Sequence, residues 1–211
     1  MTGGIIALLL YKPAGYEPVN TDAQIAEEPT QVGRYLTYLY SQMHNNVQKK
    51  ETFEIEVLED GINEAIASAN WPQRSDNIVF AQPKTEFYED GIIVTGTANV
   101  EGIDLVVTIH GLLEMLEDGQ LSVRIQTVKI GAMNVTLLAK YLAKNMYKKK
   151  FGMMHVEATD PRALIAAALL EDKPFDPLFE VNDKGVRLIQ ASMEPHLVRL
   201  AFDPIPHAPG R

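Results

Sequence analysis

The feature that most constrains this chain is a series of apolar runs separated by short turns between residues 78 and 130. The turns are Asp90-Gly91, Glu101-Gly102 and Asp118-Gly119. An acidic residue followed by glycine between alternating runs is a strong hairpin signal, because glycine accepts the positive φ of a primed turn. The pattern predicts an antiparallel β-meander with strands at 78–82, 85–89, 92–100, 103–116 and 121–130.

The last of these strands shows a change of phase. Leu121, Val123 and Ile125 alternate on one face, and the apolar positions then move to Val128 and Ile130. A slip of one residue in a period of two predicts a β-bulge or a strand that passes between two environments. We therefore expect a long and strongly curved sheet.

Helices and further strands flank the meander. Apolar residues at helical spacing from Val32 to Val47 predict a first helix. Phe53, Ile55 and Val57 alternate with acidic residues and predict a half-buried strand. The remaining predicted elements are a short helix at 60–69, helices at 135–150 and 161–170, a hairpin at 178–193 with its turn at 182–185, and a strand at 197–202.

These elements predict an α+β fold in which a long curved antiparallel sheet wraps around two to three amphipathic helices. The length of 211 residues fits one domain. We expect that domain at residues 30–203, after an apolar start and Pro-containing linker at 1–29 and before a Pro-rich tail at 204–211.

The first residues are the part of the sequence that resembles a targeting signal. Residues 3–11 are apolar and uncharged, too few for a bilayer span of about 20 residues, and they lack the basic start of a signal peptide. They predict either a short buried strand or the end of a membrane anchor with Tyr11-Lys12 at the interface. The Pro-containing linker favours the anchor, and hence an extracytoplasmic, membrane-anchored location in the cell envelope; otherwise the protein is soluble.

The composition and the motifs of the sequence limit the kinds of partner and of chemical site that we expect. A net charge of −9 argues against nucleic acid as a partner. The absence of cysteine excludes disulfides, thiolate metal sites and cysteine nucleophiles. No hydrolase elbow, phosphate loop or metal-ligand spacing of histidines occurs, so we expect no catalytic residue, no metal and no cofactor. An enzyme of another class would need a concave cluster of titratable groups with perturbed pKa values, and a pocket that holds His110 beside a buried carboxylate would favour it.

The second long helix ends in a cluster of lysines, with Tyr141 and Tyr147 between them. One interpretation is that positive charge at the helix end complements its dipole and aids solubility. The other is a membrane-facing basic patch that contacts anionic headgroups. The lysines concerned are Lys140, Lys144, Lys148, Lys149 and Lys150.

The order of elements resembles a known family. The segment 53–66, the long strands with Asp-Gly turns, and 128–131 leading into an amphipathic helix are similar to the bacterial YpmS-like, membrane-anchored extracytoplasmic domains. The chain resembles, more distantly, the tubular lipid-binding (TULIP) superfamily, and the resemblance as a whole covers about residues 50–203. The resemblance implies a curved sheet around one or two helices with an apolar groove between them, and no catalytic signature.

Together these observations predict non-enzymatic binding of a lipid or other apolar ligand at the outer face of a bacterial membrane. The alternative is a protein-interaction module of an envelope assembly that uses an exposed strand edge. The expected partners are a lipid or apolar small molecule and a membrane surface. The candidate groove residues are Leu105, Val107, Ile109, Val123, Ile125, Leu138, Leu142 and Met146.

Overall fold

The computed structural model describes residues 7–13, 16–17, 33–75, 77–151 and 161–205. Its helices are α1 (Arg34–Lys49), α2 (Glu59–Ala67), α3 (Thr136–Phe151) and α4 (Pro161–Glu171). Its strands are β1 (Phe53–Leu58), β2 (Gln73–Ser75), β3 (Ile78–Phe80), β4 (Lys84–Tyr88), β5 (Gly91–Val100), β6 (Ile103–Met115), β7 (Leu121–Ile130), β8 (Met133–Asn134), β9 (Leu178–Val181), β10 (Lys184–Glu194) and β11 (Leu197–Ile205). The predicted α+β class and antiparallel meander are confirmed.

The strands form two antiparallel sheets. The large sheet has the order β2-β3-β5-β6-β7-β8, and β4 pairs with β5 beside β3. The small sheet has the order β1-β11-β10-β9. The predicted single long sheet is therefore divided, because the C-terminal strands pair with β1 and not with the meander. A backbone bridge between Leu121 and Phe175 lies outside both sets of strands.

The hairpin turns contain residues with positive φ, as predicted, but two of the turns are formed by other residues than predicted. Glu101 and Gly102 both have positive φ, 52° and 85°, as a primed two-residue turn requires. In the preceding hairpin Tyr88 pairs with Gly91, so Glu89 and Asp90 form the turn and the predicted Asp90-Gly91 position is wrong by one residue. An added Cβ at Gly91 would lie 2.4 Å from the Gly111 carbonyl oxygen, so this strand position also requires glycine.

The last hairpin is tighter than predicted. Lys184 pairs with Val181, so only Asn182 and Asp183 form the turn, with φ of 51° and 60°. The prediction of a four-residue turn at 182–185 is therefore wrong. The following strand β11 continues to Ile205, with Pro204 opposite Val186, and thus extends past the predicted start of the tail.

The predicted bulge is confirmed in β7. His110 pairs with Thr127 and Gly111 pairs with Ile125, which leaves Gln126 as the extra residue. The extra residue offsets the slip in the sequence pattern. All the apolar residues of β7 therefore lie on one face of the large sheet, together with those of β5 and β6 that pair with them. We call this the apolar face; it comprises Ile92, Val94, Gly96, Ala98, Val100, Ile103, Leu105, Val107, Ile109, Gly111, Leu113, Met115, Leu121, Val123, Ile125, Val128 and Ile130.

The main core lies where the two sheets meet. Val47 of α1, Leu121 of β7 and residues of the small sheet form one buried cluster. The aromatic rings of Phe53 and Phe202 stack with centroids 5.5 Å apart at its edge. The members contributed by the small sheet are Ile55, Val186, Leu188 and Phe202.

The solvent-facing side of the small sheet is charged, as the alternating pattern predicts. Arg199 lies 3.2 Å from Glu56, 3.8 Å from Glu54 and 2.9 Å from Glu194. The two carboxylates of β1 are more than half exposed. They form part of a surface ion-pair network, the ordinary use of such residues.

The described part of the N-terminal segment is not a strand. Residues 7–10 form a helical turn, and the Leu8 carbonyl accepts a hydrogen bond of 2.8 Å from the Ala132 N–H. Leu8 and Leu10 are about half exposed, so the interpretation as a buried strand is wrong for these residues. The rest of the predicted apolar start, residues 1–6, lies outside the described residues. No helix within the described ranges is long and apolar enough to cross a bilayer.

Candidate apolar ligand site

A cavity of about 250 Å³ opens on the apolar face of the large sheet. Its floor is made by the paired strands β5 and β6, and its wall by the segment that connects α2 to β4. The lining residues are Trp71, Gln73, Phe80, Ala81, Pro83, Val94, Gly96, Thr97, Ala98, Val107 and Ile109.

Small residues at the centre of the floor create the cavity. Gly96 pairs with Val107 and Ala98 pairs with Leu105, so the side chains of β5 leave space that those of β6 only partly fill. The edge of β5 is shared by β3 and β4, and the chain bends between them at residues 81–83. The Ala81 N–H donates to the Thr97 carbonyl at 2.9 Å, which fixes this bend against the floor.

Trp71 forms one wall and is the only tryptophan of the chain. It follows α2 and joins Pro72 through a cis peptide bond. Its indole N–H donates to the Ile66 carbonyl at 2.7 Å. Because this bond satisfies the polar edge of the indole, the rest of the ring is available as apolar surface.

Among the described residues, no charged side chain lines this cavity. The polar residues in the described part of its lining are Gln73 and Thr97. Ligand pockets of drug-like size usually span about 300–1,000 Å³, so this cavity suits one short apolar group such as part of an acyl chain. A charged group attached to that chain would have to remain outside, in solvent.

The opposite face of the large sheet has a different character. A cleft of about 590 Å³ is lined there by three tyrosines together with Glu17, Lys84, Glu86 and Lys129. The Tyr16 hydroxyl and Thr97 Oγ1 are 3.0 Å apart, so part of the N-terminal segment packs on this face. The hydrogen bond of 2.9 Å and the charge of Glu86 raise the pKa of Lys84, so this lysine stays protonated at neutral pH.

The structure brings together some of the predicted groove residues and separates others. Val107 and Ile109 line the cavity. Leu105, Val123 and Ile125 lie on the same face of the sheet but outside the cavity, and Val123 packs against the main core.

The predicted groove residues on α3 do not face the sheet cavity. Leu138 is 58% exposed and Leu142 is 50% exposed, and neither lines the cavity. The side chain of Met146 lies outside the described residues. Leu138 and Leu142 point towards solvent, whereas Ala139 and Ala143 lie on the more buried side of the helix.

The lysines of the predicted basic patch are not all available to a partner. Lys140 forms an ion pair of 2.8 Å with Asp172, and its side chain is 23% exposed. Lys144 is exposed, whereas the side chains of residues 148–150 lie outside the described part. One of the five predicted cations is therefore already paired within the protein.

Sequence reasoning missed the wall of the cavity. Trp71, Phe80 and Pro83 lie in loops or at a strand end, where no periodicity identifies a core position. The one available signal was the single tryptophan beside a proline. Its contact with β5 and β6 depends on long-range packing.

His110 lines neither of the two cavities described above. Its Nε2 atom is buried and has no hydrogen-bond partner within the described part of the chain. The buried carboxylate of Glu59 instead accepts the Phe87 N–H at 2.6 Å and lies 3.1 Å from His196 Nδ1. The described ranges also hold no cluster of three metal-ligating side chains.

A comparison with protein-family models found no match, and a comparison with curated protein sequences also found none.

Proposed function

We propose that this protein is a non-enzymatic binding domain for an acyl chain or a comparable apolar ligand. The cavity on the apolar face carries the proposal, since it combines small floor residues and an aromatic wall with a lining that, among the described residues, is mostly apolar. An apolar pocket with few polar groups is the usual first candidate for a ligand site. The predicted attachment to the outer face of a bacterial membrane belongs to the same proposal, because apolar ligands of this kind are held in membranes.

The alternative, strand addition at an exposed sheet edge, has less support. The edge strands β2, β8 and β9 have three, two and four residues, and short edges offer little to a partner strand. The outer edge of β4 is occupied by side chains of α2: Asn63 makes two hydrogen bonds to Thr85, and Glu59 accepts the Phe87 N–H. The Tyr35 hydroxyl accepts the Leu58 N–H of the edge strand β1 at 2.6 Å.

The position of Trp71 allows a direct test. Titrating the protein with a fatty acid brominated along its chain should quench the fluorescence of this single tryptophan, because bromine quenches an indole that it contacts. Val107→Phe fills the cavity floor and should weaken binding about tenfold, equivalent to ~1.4 kcal/mol. Saturable quenching that is lost in the variant supports the proposal.

A matched control lies on the opposite face of the same sheet. Ile93→Phe adds similar bulk on the side of the polar cleft and should leave binding unchanged. If the wild-type protein shows no saturable quenching, or if both variants weaken it equally, the cavity is not the binding site and the proposal is wrong.

A further inference from the structure

The outward surface of α3 carries an unusual group of exposed apolar side chains. Leu137 is 86% exposed and Tyr141 is 65% exposed, while Leu138 and Leu142 are at least half exposed. Scattered exposed apolar residues are ordinary, but a contiguous patch marks an interaction surface. These four residues occupy two successive turns of one helix face, and we call them the α3 patch.

The α3 patch continues into basic positions along the helix. Residues 137, 141, 144 and 148 form one row at helical spacing, and residues 138, 142, 145 and 149 form the neighbouring row. Each row begins with two apolar residues and ends with a lysine. The helix contains five lysines and no acidic residue, within a chain whose net charge is −9.

The lysines on α3 favour a partner with an anionic surface. An anionic surface is attracted to the lysines, although the protein as a whole would repel it. Helices that lie in a membrane interface combine exposed leucines and aromatic residues with lysines, and tyrosine is favoured at the depth of the headgroups. The pairing of Lys140 with Asp172 leaves Lys144 as the nearest described free cation beside the apolar residues.

We propose that α3 docks in the plane of an anionic lipid bilayer, with the α3 patch inserted among the lipids and its lysines on the headgroups. The inference depends on the exposure and charge of α3 alone. It does not depend on the cavity on the apolar face, and the two proposals can fail separately.

Co-sedimentation of the full chain with vesicles provides the test. We expect binding to vesicles of equal parts phosphatidylcholine and phosphatidylglycerol, and much weaker binding to vesicles of phosphatidylcholine alone. Leu137→Gln should reduce the binding constant several-fold. Lys144→Glu should reduce it at least about tenfold, because it replaces a positive charge that attracts the anionic surface with a negative charge that repels it.

The matched control is Lys50→Glu, which makes the same charge change at an exposed position at the end of α1. It should leave vesicle binding nearly unchanged, and so should the cavity variant Val107→Phe. Both α3 variants should retain the wild-type quenching of Trp71 by the brominated fatty acid.

Three results would overturn the proposal. They are a failure to bind the anionic vesicles, binding that Lys50→Glu weakens as much as Lys144→Glu, and a wild-type dimer in light scattering that Leu137→Gln converts to monomer. The last result would show that α3 contacts a second copy of the chain.

Discussion

At the scale of single residues, the side chain of His110 stands out because its hydrogen-bonding capacity is not fully used. Its Nε2 atom is buried without a hydrogen-bond partner among the described residues, beside the glycine that begins β5. A buried polar atom without a partner costs about 1–3 kcal/mol. An apolar side chain at this position would avoid the cost of burying the nitrogen.

We expect His110→Leu to raise the free energy of unfolding by about 1 kcal/mol, because it removes the unpaired nitrogen and keeps an apolar side chain of similar size. Urea denaturation followed by circular dichroism measures the change. His110→Asn retains a buried polar group and should give no gain. A lower stability for the leucine variant would contradict this account and would indicate that the nitrogen has a partner such as bound water.

At the scale of elements, the outer edge of β4 is completed by a helix. The Asn63 side chain of α2 donates to the Thr85 carbonyl at 2.7 Å and accepts its N–H at 2.8 Å, as a neighbouring strand would. Glu59, at the first position of the same helix, accepts the next N–H along this edge, that of Phe87. These contacts close an edge that would otherwise be open to strand addition.

Asn63→Ala should therefore lower the free energy of unfolding by about 2 kcal/mol, since it leaves two backbone groups of a buried residue unpaired. Hydrogen exchange measured by NMR should show faster exchange of the Thr85 amide. The amides of β6, which are bonded on both sides by strands, should show no comparable local increase. Unchanged protection of Thr85 would mean that its amide does not depend on the asparagine.

At the scale of the whole molecule, one buried cluster joins the two sheets. Leu121 belongs to β7 of the large sheet, yet it packs with Val186 and Phe202 of the small sheet. Its backbone also exchanges two hydrogen bonds, of 2.8 and 3.0 Å, with Phe175 just before β9. The small sheet therefore shares its core with the meander.

We expect Leu121→Ala to lower the free energy of unfolding by about 2–5 kcal/mol, the usual cost of a cavity in a core. Because the sheets share this cluster, circular dichroism and Trp71 fluorescence should still report coincident urea transitions. Leu137→Ala, at an exposed site, should change stability by less than about 0.5 kcal/mol. A shift of the dichroism transition without a shift of the fluorescence transition would show that the sheets unfold separately.

Much of the local structure could be predicted because its causes are local. Alternation of apolar residues identifies the strands of the meander, and the slip between Ile125 and Val128 identified the bulge, since side chains of a strand must alternate between two faces. The helical spacing at 135–150 identified α3 as a helix. The same pattern could not tell which side of α3 would meet the sheet.

The candidate site could be predicted only in part. Val107 and Ile109 were identified because they are apolar positions of a central strand. Gly96 and Trp71 were not, because a small residue on a strand and an aromatic residue in a loop acquire their role only from what faces them.

The sequence by itself determined the fold class, the hairpins and the alternation of the strands, because these depend on the conformational preferences and spacing of neighbouring residues. The tertiary structure alone decided the division into two sheets, the helix that completes the edge of β4, the cavity on the apolar face and the exposure of the α3 patch. Each of these depends on contacts between residues far apart in the chain, such as Glu59 with His196 and Leu121 with Phe175. Such contacts are selected by the packing of the whole chain and leave no periodic trace in the sequence.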